Sequence, residues 1–251
     1  MGTAGRWRIG PLELWIQRLE GEWRIASEQG DDPLDDALER EVPCVIDGVL
    51  DRESTERYAS NSKTEVIRLA AALADRSVVT RSDKPLHVPP GEEISVFVSS
   101  PLWVRIEAGE PGKLLRELPV FRPSDTWFGP NTREGELCYA SRTHHRLRLE
   151  QIPARPHRAV TSVLVRNRAS GMLSLDRMQV PVMHLSLYRS QEGHLWTDDV
   201  VFERRGEDDF AELRTRSRSD ARWTIKVTRI APPRIHARDN AMVRAFTSLF
   251  R

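Results

Sequence analysis

Seven histidines are the first place to look for chemistry in this chain: His87, His144, His145, His157, His184, His194 and His236. No two are spaced i, i+4, so none forms the paired face of a zinc-protease helix. His144 and His145 are adjacent, and on a strand adjacent side chains point to opposite faces. His184 falls on the wetter side of its run. The histidines therefore read as exposed or hydrogen-bonded side chains rather than metal ligands, and no metal or cofactor is expected. The two cysteines, Cys44 and Cys138, stand 94 positions apart. That spacing suits neither a disulfide framework nor a zinc pair, so both are expected to be small buried apolar residues.

Nucleophile and phosphate motifs are equally thin. Gly-x-Ser-x-Gly does not occur, Ser170-Gly171 reads as a turn, and neither standard glycine-rich phosphate loop is present. Asp198-Asp199 follows Trp196-Thr197 and reads as a solvated edge pair rather than an acid/base dyad. The most distinctive stretch is Ser124-Asp125-Thr126-Trp127-Phe128-Gly129-Pro130, followed by Gly135-Glu136-Leu137-Cys138-Tyr139-Ala140. It predicts a loop, a turn at Gly129-Pro130, and a strand re-entering after Gly135. Asp125 or Ser124 can bond back to the main chain, while Trp127 and Phe128 fill a core or a pocket. A corner fixing two sheets is the plainer meaning. A ligand loop of Asp125, Trp127 and Phe128 is the functional one.

Charge is balanced overall, at +1, but unevenly distributed. Glu28 to Glu56 holds eleven acids against Arg40 and Arg52, a balance of −9. Arg142 to Arg168 holds seven arginines and three histidines against Glu150, a balance of +6 with histidine neutral. No Trp, Tyr or Phe lies in that basic stretch, whereas a single-strand nucleic-acid platform interleaves aromatics for base stacking. Phosphate contact alone stays open, as does an acidic protein surface. The chain's own acidic segment could meet the basic one within one molecule or between copies, and mixed solvated faces are the plainest reading. Arg146, Arg148, Arg155 and Arg158 are the candidate contact residues. Arginine outnumbers lysine 34 to 4, for which a GC-rich genome is the plainer explanation and a preference for the planar fork the functional one.

These residues must be positioned by strands, because alternation with period two dominates the chain. Leu12, Leu14 and Ile16 alternate with Glu13, Trp15 and Gln17, and Gly21-Glu22 turns into Trp23-Arg24-Ile25, an opening hairpin. Leu102-Val104-Ile106, Met183-Leu185-Leu187 and Trp223-Ile225-Val227 repeat the pattern. The expectation is a mainly β protein, an antiparallel β-sandwich in two sandwich-like halves. A boundary near Ile152-Pro153 gives residues 1–152 as a β-rich domain and 153–251 as an immunoglobulin-like sandwich. Helix is scarce. Asp32 could cap a short one over Pro33 to Glu41, and Thr64 to Ala74 suits either helix or buried strand. Met242, Phe246, Leu249 and Phe250 share a face at helical spacing, which predicts a short C-terminal helix. Phe246 and Phe250 become contact residues if that helix is presented to a partner.

No apolar run approaches the roughly 18 residues of a membrane-spanning helix, and the first residues carry nothing like a signal peptide. The expected location is cytoplasmic, with membrane association only through a partner.

The loop from Ser124, together with Pro85-Leu86-His87-Val88-Pro89-Pro90-Gly91 and Pro101-Leu102-Trp103-Val104-Arg105, resembles a prokaryotic family known only as a domain of unknown function. The resemblance covers about residues 77–226 and carries no catalytic residues with it. Bacterial members stand beside small-conductance mechanosensitive channels, which implies a channel partner at the inner face of a membrane.

Three functions follow as expectations. The leading one is a non-catalytic accessory protein that binds another protein, a channel subunit or its own copies. The alternative is a sandwich module for a small anion or carbohydrate, with surface-facing Trp103 and the Trp127-Phe128 loop as its platform. The third is a hydrolase, which two or more of Asp125, His144, His157 and Asp198 converging in a cleft would promote.

Overall fold

The computed structural model describes residues 3–46, 48–60, 66–84, 86–109, 112–131, 133–206, 210–218, 226–236 and 241–247. Among them the chain is mainly β, with three short 3-10 turns and no longer helix. It forms two compact units: residues 1–72 with 102–121, and residues 73–101 with 122–251. Pro153 lies inside the second unit.

The first unit pairs a five-stranded sheet with a three-stranded one, all antiparallel. The larger sheet runs in the order Leu38–Glu41, Ala4–Ile9, Leu12–Leu19, Glu22–Gln29, Glu56–Ala59. The smaller runs Lys113–Pro119, Trp103–Ala108, Ile67–Ala72. Alternation does what it predicts: Leu12, Leu14, Ile16, Trp23 and Ile25 form one core with Val104, Ile106, Leu118 and Val120 from the other sheet. The opening hairpin closes at Gly21, whose φ of 79° is the left-handed conformation that favours glycine.

The second unit holds the chain's longest strand, Arg158–Asn167. Glu93–Pro101 pairs along its whole length antiparallel. On its other side, Trp196 and then Val200–Arg204 pair with it parallel. Leu187–Ser190 and Val227–Ala231 extend the sheet beyond the Trp196 strand, and Phe210–Arg216 and Ala241–Arg244 beyond Val200–Arg204. A second sheet has the order Asp125–Phe128, Glu136–Ala140, Val78–Arg81, Arg177–Val180, Phe246–Thr247. Phe202 of the first sheet and Phe246 of the second meet edge to face, with ring centroids 5.7 Å apart.

Two expectations of local structure are corrected, and one alternative is decided. The C-terminal helix is not formed over the described residues. Ala241–Arg244 pairs with Phe210–Leu213, and Phe246–Thr247 pairs with Arg177–Met178, so two sheet edges take the backbone bonds a helix would have made. Phe246 is consequently buried rather than presented, and Phe250 lies outside the described residues. Asp32 does accept from the Leu34 N–H at 2.9 Å, as a cap would, but the turn stops there. Leu38–Glu41 then pairs with Ala4–Ile9 as an edge strand. Ile67–Ala72, helix or strand by sequence, is a strand, and most of the Trp223–Val227 run lies outside the described residues.

Candidate functional site

The loop singled out in the sequence is built by glycine. Asp125–Phe128 and Glu136–Ala140 form an antiparallel pair. A Cβ on Gly129 would sit 2.0 Å from the Glu134 carbonyl, and one on Gly135 would sit 2.5 Å from the Phe128 carbonyl. No other residue allows that backbone approach. Asn131 Oδ1 accepts from the Arg133 and Glu134 amides at 2.8 and 2.9 Å, and the Trp127 indole N–H donates to the Asn131 carbonyl at 2.7 Å. Asp125 takes ion pairs from Arg76 at 3.1 Å and Arg122 at 3.4 Å, which anchor the base of the hairpin. Trp127 is 40 % exposed, and Phe128 is fully buried beneath Arg177. The three loop residues thus have separate structural roles, and Phe128 lines a cavity.

That cavity measures about 600 Å³. Its apolar wall includes Phe128, Met183 and Phe210, and its polar wall includes Ser77, Glu134 and Glu136. Gln179, on the Arg177–Val180 strand, also faces it and is 7 % exposed. The Gln179 side-chain amide makes no hydrogen bond with any described residue, although its own N–H donates to the Ala245 carbonyl at 3.0 Å. The amide atoms themselves stay accessible, so they face the open cavity, where water or another molecule completes their bonding. His184 lines the same space. Its Nδ1 lies 2.9 Å from the Ile235 carbonyl, which can only accept, so the neutral ring turns Nε2 outward as an acceptor. Ser77 donates to Glu136 at 3.2 Å. Arg244 stacks on Phe210 at 4.5 Å. The polar wall is rich in acceptors. Cys138, behind the loop, is fully buried, and burial beside Glu136 pushes its thiol up to about 12.

A second cavity, about 240 Å³, opens beside the start of the Arg158–Asn167 strand. Arg155, Arg158, His194 and Trp196 line it, with Glu150 also present. Behind Trp196 lies a buried polar network. Arg218 stacks over the indole at 4.2 Å, donates to Asp199 at 2.7 Å and to the Thr197 carbonyl at 2.9 Å. Asp198 accepts from the Ser186 amide at 2.6 Å and from the Tyr188 hydroxyl at 2.7 Å. Burial pushes the Asp199 carboxyl up to about 6 against the pull of Arg218. Asp198-Asp199 is therefore an interior pair, not the solvated edge the sequence suggested.

The remaining candidates are dispersed. Arg146 pairs with Asp83 at 3.1 Å, Arg148 is exposed, and Arg158 is interior. His144 is exposed, while His145 and His157 are buried. Trp103, expected to face solvent, is 6 % exposed. Neither cavity is lined by Asp125, His144, His157 or Asp198. Gln179 and Trp196 were missed by sequence reasoning. The only signal for either was a polar or amphipathic residue inside an apolar run.

Over residues 2–251 the sequence matches a family model described as a protein of unknown function, DUF432. This chain belongs to the DUF432 family. The match extends on both sides of the stretch in which the resemblance was visible. No curated protein and no solved structure matches the chain. Among the described residues of this DUF432 member, no three His, Cys, Asp or Glu side chains gather as metal ligands, and no helix is long and apolar enough to cross a membrane.

Proposed function

We propose that this DUF432 member is a binding module whose larger unit takes a small hydroxyl-rich molecule, a sugar or polyol, in the cavity beneath the Trp127-Phe128 loop. The observation that carries the reading is the Gln179 amide, open on the wall of a 600 Å³ cavity and without an intramolecular partner among the described residues. One amide offers both a donor and an acceptor, and the Glu134, Glu136 and His184 acceptors suit the O–H donors of a sugar. Phe128, Phe210 and Met183 supply the apolar surface that packs on ring C–H groups. The glycine-locked hairpin holds Phe128 in place before any ligand arrives, which lowers the ordering cost of binding.

The test is a thermal-shift and calorimetric panel of monosaccharides and polyols on the native chain and on Gln179→Leu. A ligand that binds the native chain raises its melting temperature. Gln179→Leu removes the amide and keeps the volume, so stability should change by less than about 1 kcal/mol while binding is lost. No hit in the panel, or undiminished binding by the leucine variant, overturns the reading.

A further inference from the structure

Arg158 is buried, at 6 % exposure, yet no carboxylate pairs with it among the described residues. Its Nε donates to Ser99 Oγ at 2.8 Å, and its Nη2 to the Ser99 carbonyl at 2.6 Å and Thr143 Oγ1 at 3.2 Å. All three partners are neutral. One edge of the guanidinium is thus clamped, and Nη1 is left without a hydrogen bond among the described residues. Burial, with Arg155 adding to it, pushes the group down to about 10, still charged at neutral pH. A buried charge held only by neutral oxygens is costly unless something else neutralises it.

The Trp196 indole supplies a second, independent sign. Trp196 is 4 % exposed, and its Nε1–H is buried with no hydrogen-bond partner. Strand register brings the two groups together. Val160 pairs with Trp196, and Arg158 precedes Val160 by two residues, so all three project from one face of the sheet. Both Arg158 and Trp196 line the 240 Å³ cavity, whose other walls include Leu149, Ile152 and Leu195.

We infer that this cavity is a second binding site, distinct from the sugar cavity, and that it takes an organic carboxylate. Nη1 and the indole N–H are donors for the two oxygens of one carboxylate, and Leu149, Ile152, Val160 and Leu195 cover its hydrocarbon body. Glu150 at the wall disfavours a dianion such as phosphate. Ser99 and Thr143 hold the guanidinium in place beforehand. They satisfy one edge without discharging it, which leaves the ligand to provide the counter-charge.

Hexanoate, hexanol and inorganic phosphate, titrated calorimetrically into the full chain at low ionic strength, test the assignment. Hexanoate should bind saturably and shift one indole N–H resonance, with hexanol and phosphate at least about tenfold weaker. In Trp196→Phe, which keeps a ring but loses the N–H, that resonance should be gone and hexanoate binding should fall about tenfold. Arg158→Gln should fall further. Should the glutamine variant fail to fold, the phenylalanine variant and the resonance still decide. Absence of hexanoate binding, equal binding by Trp196→Phe, or tighter binding of phosphate overturns it. The sugar reading is untouched by any of these results, because Gln179 lines the other cavity.

Discussion

The two units treat buried charge differently. In the smaller unit Glu107 is 5 % exposed and is met by Arg68 and by Arg105 at 3.5 Å. The acidic segment Glu28–Glu56 of the same unit is answered in the same way: Arg8 takes Asp35 at 2.8 Å, Arg116 takes Glu56 at 3.2 Å, and Arg52 takes Glu28. Each carboxylate of these pairs has a cation from its own unit. Among the described residues the larger unit answers carboxylates in the same way, at Arg76 and Asp125, Arg146 and Asp83, and the buried Arg218 and Asp199, but it breaks the rule at Arg158. The indoles repeat the contrast. Trp23 and Trp196 both bury an unpartnered N–H, and both carry an arginine over the ring, but Trp23 sits in a hydrophobic core while Trp196 lines a cavity. Departure from pairing is informative where open space adjoins it.

Breaking the buried Arg218–Asp199 pair of the larger unit should have the largest effect. Asp199→Asn leaves the Arg218 guanidinium, 3 % exposed as a side chain, without its carboxylate. The expected loss is about 3–5 kcal/mol in urea unfolding. An effect under about 1 kcal/mol would mean that this network holds nothing in place behind Trp196.

His145 gives the next effect and a pH dependence. It is 4 % exposed, and neither ring nitrogen has a hydrogen-bond partner. Burial, helped by His144 and Arg146, pushes its pKa down to about 4 from 6.5. A group whose folded pKa is depressed in this way favours folding above the unfolded value and loses that contribution as pH falls. The chain should therefore lose stability between pH 6.5 and 4 through this residue, by up to roughly 3 kcal/mol. His145→Phe removes the proton site, and its stability measured across that window should be flatter. An unchanged slope would assign the acid response to other groups.

How much of this contrast was legible in sequence depends on its range. The opening hairpin at Gly21 and the strand re-entry after Gly135 were local: period two and a glycine determined them. The Arg158 cavity was not local. It needs Val160 beside Trp196 in a parallel pairing, and no turn signal announces a register between residues 36 positions apart. The basic segment was visible as charge, but period two decides which arginines turn inward, and Arg158 was read with its exposed neighbours. Phe246 fails for a related reason. Its helical spacing from Met242 was real, and a distant strand, Arg177–Val180, claimed its backbone instead.

The smallest effect belongs to the exposed half of that same segment. Arg146 and Asp83 form a 3.1 Å pair whose side chains are 35 % and 59 % exposed, so water and salt screen it. A double-mutant cycle of Arg146→Ala and Asp83→Ala should give a coupling of about 0.2–1 kcal/mol that shrinks as ionic strength rises. Hexanoate affinity in either variant should stay within about twofold of the native chain, since neither residue lines the Arg158 cavity. If Arg146→Ala weakened hexanoate as much as Trp196→Phe, the basic segment would act as one electrostatic surface. The distinction between its interior arginine and its solvated ones would then collapse.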